Sequence, residues 1–90
     1  MTDAYRVVWA PSGKRDLAKL PEKVATAVVE FIYGGLAANP RRVGRELHLE
    51  LTGYHAAPRG DFRIIYQIDD QRHSVVVTTI DHRSDAYRRT

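Results

Sequence analysis

Eight consecutive residues, Arg59-Gly60-Asp61-Phe62-Arg63-Ile64-Ile65-Tyr66, decide most of the architecture. Phe62, Ile64, Tyr66 and Ile68 alternate with Arg63, Ile65 and Gln67, the two-residue period of a strand with one face against a core. Gly60-Asp61 supplies the turn ahead of it, because glycine tolerates positive φ and aspartate can hydrogen-bond its own backbone. Arg63 therefore projects opposite to Phe62, from a rigid element able to hold a charge in place.

The remaining segments read as what surrounds this strand. Residues 5–9 (Tyr-Arg-Val-Val-Trp) form a short β-rich run, broken by Pro11-Ser12-Gly13. Ser12 is the expected N-cap of a first helix over residues 14–19. Leu20-Pro21-Glu22 opens a second helix, in which Val24, Val28, Phe31, Ile32 and Leu36 recur at three- and four-residue spacing until Asn39-Pro40. Arg41-Arg42-Val43-Gly44-Arg45 is a basic loop. A second strand starts either at the alternating Leu47, Leu49 and Leu51 or after the Thr52-Gly53 break. Asp69-Asp70-Gln71 turns the chain into a last, β-branched strand over residues 73–80. The order β-α-α-β-β-β gives one α+β domain spanning residues 1–90. Its mostly antiparallel four-stranded sheet carries the N-terminal α-hairpin on one face and leaves the other open beside Arg63.

Charge gives the open face a chemical character. The chain carries a net charge of +3 with a pI near 9.5, and 11 of its 14 basic residues are arginine. Every basic residue from Arg41 onward is arginine, the side chain suited to bidentate phosphate contact and base stacking. An open, arginine-bearing face is a reasonable RNA or DNA surface; a merely solvated basic face is the alternative. With no cysteine there is neither a disulfide framework nor a thiolate site. No apolar run reaches the ~20 residues that cross a bilayer, so a cytoplasmic protein is expected. No histidine pair has metal-ligand spacing with a carboxylate, so neither metal nor cofactor is expected.

Several segments together resemble the RelE/ParE toxin superfamily, and within it the mycobacterial-type RelE branch. They are Leu20-Pro21-Glu22-Lys23-Val24, Leu51-x-Gly53, the block from Arg59 through Ile68, and the terminal His82-Arg83-Ser84-Asp85-Ala86-Tyr87. The resemblance implies the toxin of a type II toxin–antitoxin system. Its RelE branch enters the ribosomal A site, against ribosomal RNA, and cuts mRNA there by attack of a ribose 2′-hydroxyl on the adjacent phosphate. Such a reaction needs a base, cationic groups for the phosphorane and an acid for the leaving oxygen. Carried over by motif, Arg63 contacts the scissile phosphate, Arg83 stabilises charge, and Tyr87 orients the nucleophile or stacks on a base. Arg63 also admits a plainer reading, as a surface arginine paired with a cross-strand carboxylate.

The family often has basic residues where Ala56 and Pro58 stand, and an imidazole is better matched to neutral pH than an ammonium. His55 is thus a candidate base and His82 a candidate acid or phosphate contact, each equally readable as a structural histidine, with Arg45, Arg59 and Arg88 as further RNA contacts. His48 and His73 read as surface residues. The implied partner is a small, acidic RelB-like antitoxin forming a hetero-oligomer with the toxin. The competing functions are a ParE-like inhibitor of DNA gyrase on the same scaffold and a catalytically weak scaffold that only binds its antitoxin.

Overall fold

The computed structural model describes residues 4–82. In chain order the elements are β1 (Arg6–Trp9), α1 (Pro11–Ala18), α2 (Glu22–Phe31) running into a π-helical turn (Ile32–Leu36), and α3 (Pro40–Val43). There follow β2 (Arg45–Glu46), a 3₁₀ turn (Leu49–Leu51), β3 (Tyr54–Arg59), β4 (Phe62–Asp69) and β5 (Ser74–His82). The strands make one sheet in the order β1-β5-β4-β3-β2. β1 runs parallel to β5, and every other pairing is antiparallel. The sheet thus has five strands rather than the four expected, the fifth being the two-residue β2 drawn from the basic loop.

The oily stripe of α2 and its π-helical extension lies on one face of the sheet. Val28, Ile32 and Leu36 are buried against Ile64, Tyr66, Val75, Val77 and Ile80, with Val24, Phe31 and Phe62 packed around them. Each such side chain contributes roughly 1.5–3 kcal/mol when fully withdrawn from water. At the margin of this layer the Tyr66 hydroxyl donates to the Pro40 carbonyl at 2.6 Å, tying β4 to α3. Arg41 of α3 forms an ion pair with Asp70 at 2.6 Å, and the Tyr5 hydroxyl donates to the same carboxylate. Arg41 first, and Tyr5 after it, hold the Asp70 carboxyl below its usual range.

One local expectation is corrected, and one pair of alternatives is decided. Ser12 does not cap α1: the N-cap is Ala10, and the helix begins at Pro11, where a missing N–H costs nothing. The Leu47-Leu49-Leu51 alternation is not a strand either. Leu49–Leu51 forms the 3₁₀ turn, with Leu49 at φ 61° and 89% exposed, so β3 starts after Thr52-Gly53.

α1 solves an edge problem. β1 pairs with β5 only as far as Val77, leaving the outer edge of β5 open beyond it. There the Ser12 hydroxyl donates to the Thr78 carbonyl at 2.6 Å, and the Asp16 carboxylate accepts the Ile80 N–H at 3.0 Å. The approach is so close that a Cβ at Gly13 would collide with the Val77 carbonyl, which is why glycine stands in this helix.

Directly beneath α1, the β4–β5 ladder shifts register. Ile65 faces Thr79 while Tyr66 faces Val77, so Thr78 is an extra residue, and its hydroxyl donates to the Ile65 carbonyl at 3.1 Å. This bulge changes the phase of β5. Val75 and Val77 face the core before it, Ile80 after it, and Asp81 is delivered to the opposite face.

Candidate active site

Cross-strand register assigns each candidate to a face. β3 and β4 join through the two-residue turn Gly60-Asp61, with glycine first at φ 61°, so Arg59 lies opposite Phe62 and Pro58 opposite Arg63. Ala57, paired with Ile64, is fully buried under the helices, and His55 and Arg59 share its side of the strand. His55 stacks on the Tyr66 ring with centroids 5.7 Å apart, and its Nδ1 is buried without a hydrogen-bond partner. Arg59 reaches over the Phe31 ring, 5.4 Å from its centroid, beside a groove between α2 and the hairpin. His82 meets the Phe62 ring edge-on at 5.2 Å. These three candidates therefore stand on the helix-covered side, not with Arg63.

On the open face a cleft of ≈ 580 Å³ is lined by Ser12, Leu51, Tyr54, Arg63, Ile65, Thr78, Thr79 and Asp81. Ile65, only 8% exposed, is its apolar floor. Tyr54 and Leu51 wall it on the β3 side, and the two threonines around the bulge wall it on the β5 side. Arg45 pairs with Ala56, which pairs with Ile65, so the register sets Arg45 on this same face at the sheet margin. Of the expected set, the structure thus places Arg45 and Arg63 on one face, with Arg63 lining the cleft. Arg83, Tyr87 and Arg88 lie outside the described residues.

Electrostatically the cleft holds one close pair. Arg63 Nε and Asp81 Oδ1 are 3.5 Å apart across β4 and β5, and neither atom has a hydrogen-bond partner among the described residues. A charge-assisted hydrogen bond would be about 2.7–2.9 Å, so the pair is in Coulombic contact without being locked. The carboxylate partner of the plainer reading of Arg63 is therefore real, but it does not use up the guanidinium. No hydrogen bond to the terminal nitrogens of Arg63 is found among the described residues. Nor do those residues contain a group of three or more His, Asp or Glu able to hold a metal ion. What the cleft offers is an anion-binding cation beside a carboxylate, over an apolar floor with an aromatic wall.

Residues 7–87 match the family model described as the ParE toxin of the type II toxin–antitoxin system parDE. The chain belongs to this RelE/ParE toxin family. It is 47% identical to Toxin RelG of Mycobacterium tuberculosis over 85 residues, covering 94% of this chain and 98% of that toxin. It is 48% identical to Toxin RelE of the same organism over 84 residues, covering 93% and 87%. Among solved structures, the RelBE2 toxin–antitoxin complex from M. tuberculosis matches with a TM-score of 0.87 at 45% identity, covering 94% of this chain and 97% of the matched one. The isolated Escherichia coli RelE toxin matches with a TM-score of 0.72 at 15% identity, covering 94% and 97%, a likeness of fold alone.

The protein is thus a RelE-like toxin of a type II toxin–antitoxin system. Two residues of this toxin's cleft escape a reading by motif. Tyr54 could have been found by counting back from the two-residue turn, which puts it in phase with Arg63. Asp81 could not, because strict alternation along β5 from Val75 would bury it; only the bulge at Thr78 turns it outward.

Proposed function

We propose that this toxin is an mRNA endonuclease acting on translating ribosomes in the cytoplasm, with the open-face cleft as its active site. The observation that carries this reading is Arg63. It projects from the rigid centre of the sheet into a cleft of nucleotide size, with only a loosely held counter-ion. A guanidinium so placed can grip a phosphate through its terminal nitrogens, while Tyr54 and Leu51 offer a surface for a base. Positive charge aimed at the phosphorus centre would favour the pentacoordinate state over the bound diester, the condition for acceleration rather than mere binding. Arg83 and Tyr87 are proposed to join Arg63 there, as the family resemblance implies.

The partner proposed for this chain is an acidic RelB-type antitoxin, since the matched M. tuberculosis structure is a toxin–antitoxin complex. An acidic segment that folds on binding would find a basic, open sheet face to cover.

The test is cleavage of a defined message in a reconstituted translation system by the purified toxin. Wild type should cut within codons presented in the A site, and Arg63→Ala should lower the rate by about 10²–10³-fold with unchanged thermal stability. Equal cleavage by both proteins would remove Arg63 from the mechanism. A second reading, inhibition of DNA gyrase, is kept because the matching family model is described as a ParE toxin. A supercoiling assay run in parallel separates the two, inhibition there with intact translation favouring gyrase.

A further inference from the structure

The endonuclease reading needs a group to accept the 2′-hydroxyl proton, and the expected one, His55, stands across the sheet from Arg63. We propose that Asp81 is the general base of the cleft. The inference depends on the endonuclease reading and adds to it the identity of the proton acceptor.

Three observations converge. Tyr54, Arg63, Ser12 and the two threonines are donors or weak acceptors, because a guanidinium has no lone pair to offer and a neutral hydroxyl is a poor base. Asp81 is the one carboxylate lining the cleft among the described residues. Its Oδ1 is buried against Arg63 Nε at a loose 3.5 Å with no hydrogen-bond partner, and no hydrogen bond to Oδ2 is found among the described residues. Its side chain is only 12% exposed, so few waters compete for those lone pairs.

Position is the third observation. Arg63 and Asp81 are direct register partners on adjacent strands, and the register shift at Ile65/Tyr66 is what turns Asp81 to that side. In a ribonucleotide the 2′-oxygen and the phosphate it attacks belong to one ribose, a few ångströms apart. A base for the first and a cation for the second must be neighbours, as these two are.

The step balances as follows. An Asp81 carboxylate oxygen takes the proton of the 2′-hydroxyl while the 2′-oxygen forms a bond to phosphorus. The P–O5′ bond breaks and its electron pair leaves on the 5′-oxygen, which takes a proton from solvent water. The products are a 2′,3′-cyclic phosphate and a 5′-hydroxyl, and Asp81 returns its proton to water. Arg63 holds the non-bridging oxygens throughout, and so offsets the repulsion between the carboxylate and the phosphate.

The experiment measures single-turnover cleavage on ribosomes programmed with a defined message, at saturating ribosome concentration, from neutral pH downward. The charged and titratable groups around Asp81 are Arg63 from β4, Tyr54 from β3, Asp16 and Lys19 from α1, and its own neighbour His82. Asp16→Asn and His82→Gln are therefore run as pH controls. Asp81→Asn should cut about 10²–10⁴-fold more slowly than wild type. It should bind ribosomes as well or better, having lost a negative charge beside the phosphate. The decline in rate on acidification seen with wild type should be absent from Asp81→Asn and persist in both controls. Wild-type speed and an unaltered pH profile in Asp81→Asn would overturn the proposal and leave the endonuclease reading standing. Absence of cleavage by wild type overturns both. Should Asp81→Asn fail to fold, Asp81→Glu decides: a reduced rate that still falls on acidification supports the proposal, and a rate independent of pH overturns it.

Discussion

Among the described residues Tyr66 is the largest side chain with no exposure, and its hydroxyl makes one bond, to the Pro40 carbonyl. Tyr66→Phe should cost about 1–2 kcal/mol, since it strands a buried acceptor without opening a cavity; denaturant unfolding measures it. Burial also pushes the phenol up to about 12. A proton held more tightly in the native state stabilises the fold fully below the unfolded-state value of about 10. That stability is lost as pH rises from there to about 12, on the order of 2–3 kcal/mol. Wild type should therefore weaken steeply across this alkaline window, and Tyr66→Phe much less. Gly44 lies against the same hydroxyl, where a Cβ would collide with Tyr66 Oη and crowd the Ala56 carbonyl. Gly44→Ala should cost about 1–3 kcal/mol by overpacking. The open-face position of Arg63 is legible in the sequence because β4 alternates without interruption. The position of His55 takes one further count: a two-residue turn after Arg59 puts it in phase with Phe62, under the helices.

At the scale of elements, the helical stripe and the alternation of β4 were legible because each repeats a single period long enough to stand out. The features that shape the cleft break a period, and so leave no periodic trace. Val75-Val76-Val77-Thr78-Thr79-Ile80 is β-branched throughout, and nothing in it announces that Thr78 is supernumerary. The evenly spaced leucines at 47, 49 and 51 suggested a strand, yet the chain there turns through a left-handed Leu49. Deleting Thr78 tests the bulge directly. Without it Thr79 would follow Val77 directly and stay opposite Ile65, so Ile80 would still face the core and Asp81 would still stand opposite Arg63. What goes is the Thr78 hydroxyl bond to the Ile65 carbonyl and the carbonyl that accepts from Ser12. We expect the deletion to cost about 1–3 kcal/mol with cooperative thermal unfolding retained, on the order of two lost hydrogen bonds. Asp16→Ala leaves the Ile80 N–H unsatisfied and should cost about 1–3 kcal/mol.

For the molecule as a whole, the sheet separates two tasks. One face is occupied by α2 and its π-helical extension and supplies cohesion; the other carries the cleft, which α1 and the 3₁₀ turn reach through Ser12 and Leu51. Basic residues are distributed over both, so net charge does not say which of them meet RNA. Arg45 and Arg63 share the open face, whereas Arg59 sits over Phe31 and His55 over Tyr66 on the covered one. This sorting predicts how ribosome binding divides among variants. Arg45→Ala should weaken toxin–ribosome association at physiological salt. It should also lower the salt slope by about one counter-ion, as expected when a single phosphate contact is removed. Arg59→Ala and His55→Ala should leave binding and cleavage near wild type. Their effect should appear in thermal unfolding instead, through a lost cation–π contact of about 0.5–1 kcal/mol and a lost ring stack. Binding isotherms at several salt concentrations, set beside melting curves of the same four proteins, read both effects at once. If Arg59→Ala lost ribosome affinity and kept its stability, the covered side would have to be part of the RNA surface, and the assignment of tasks to faces would be wrong.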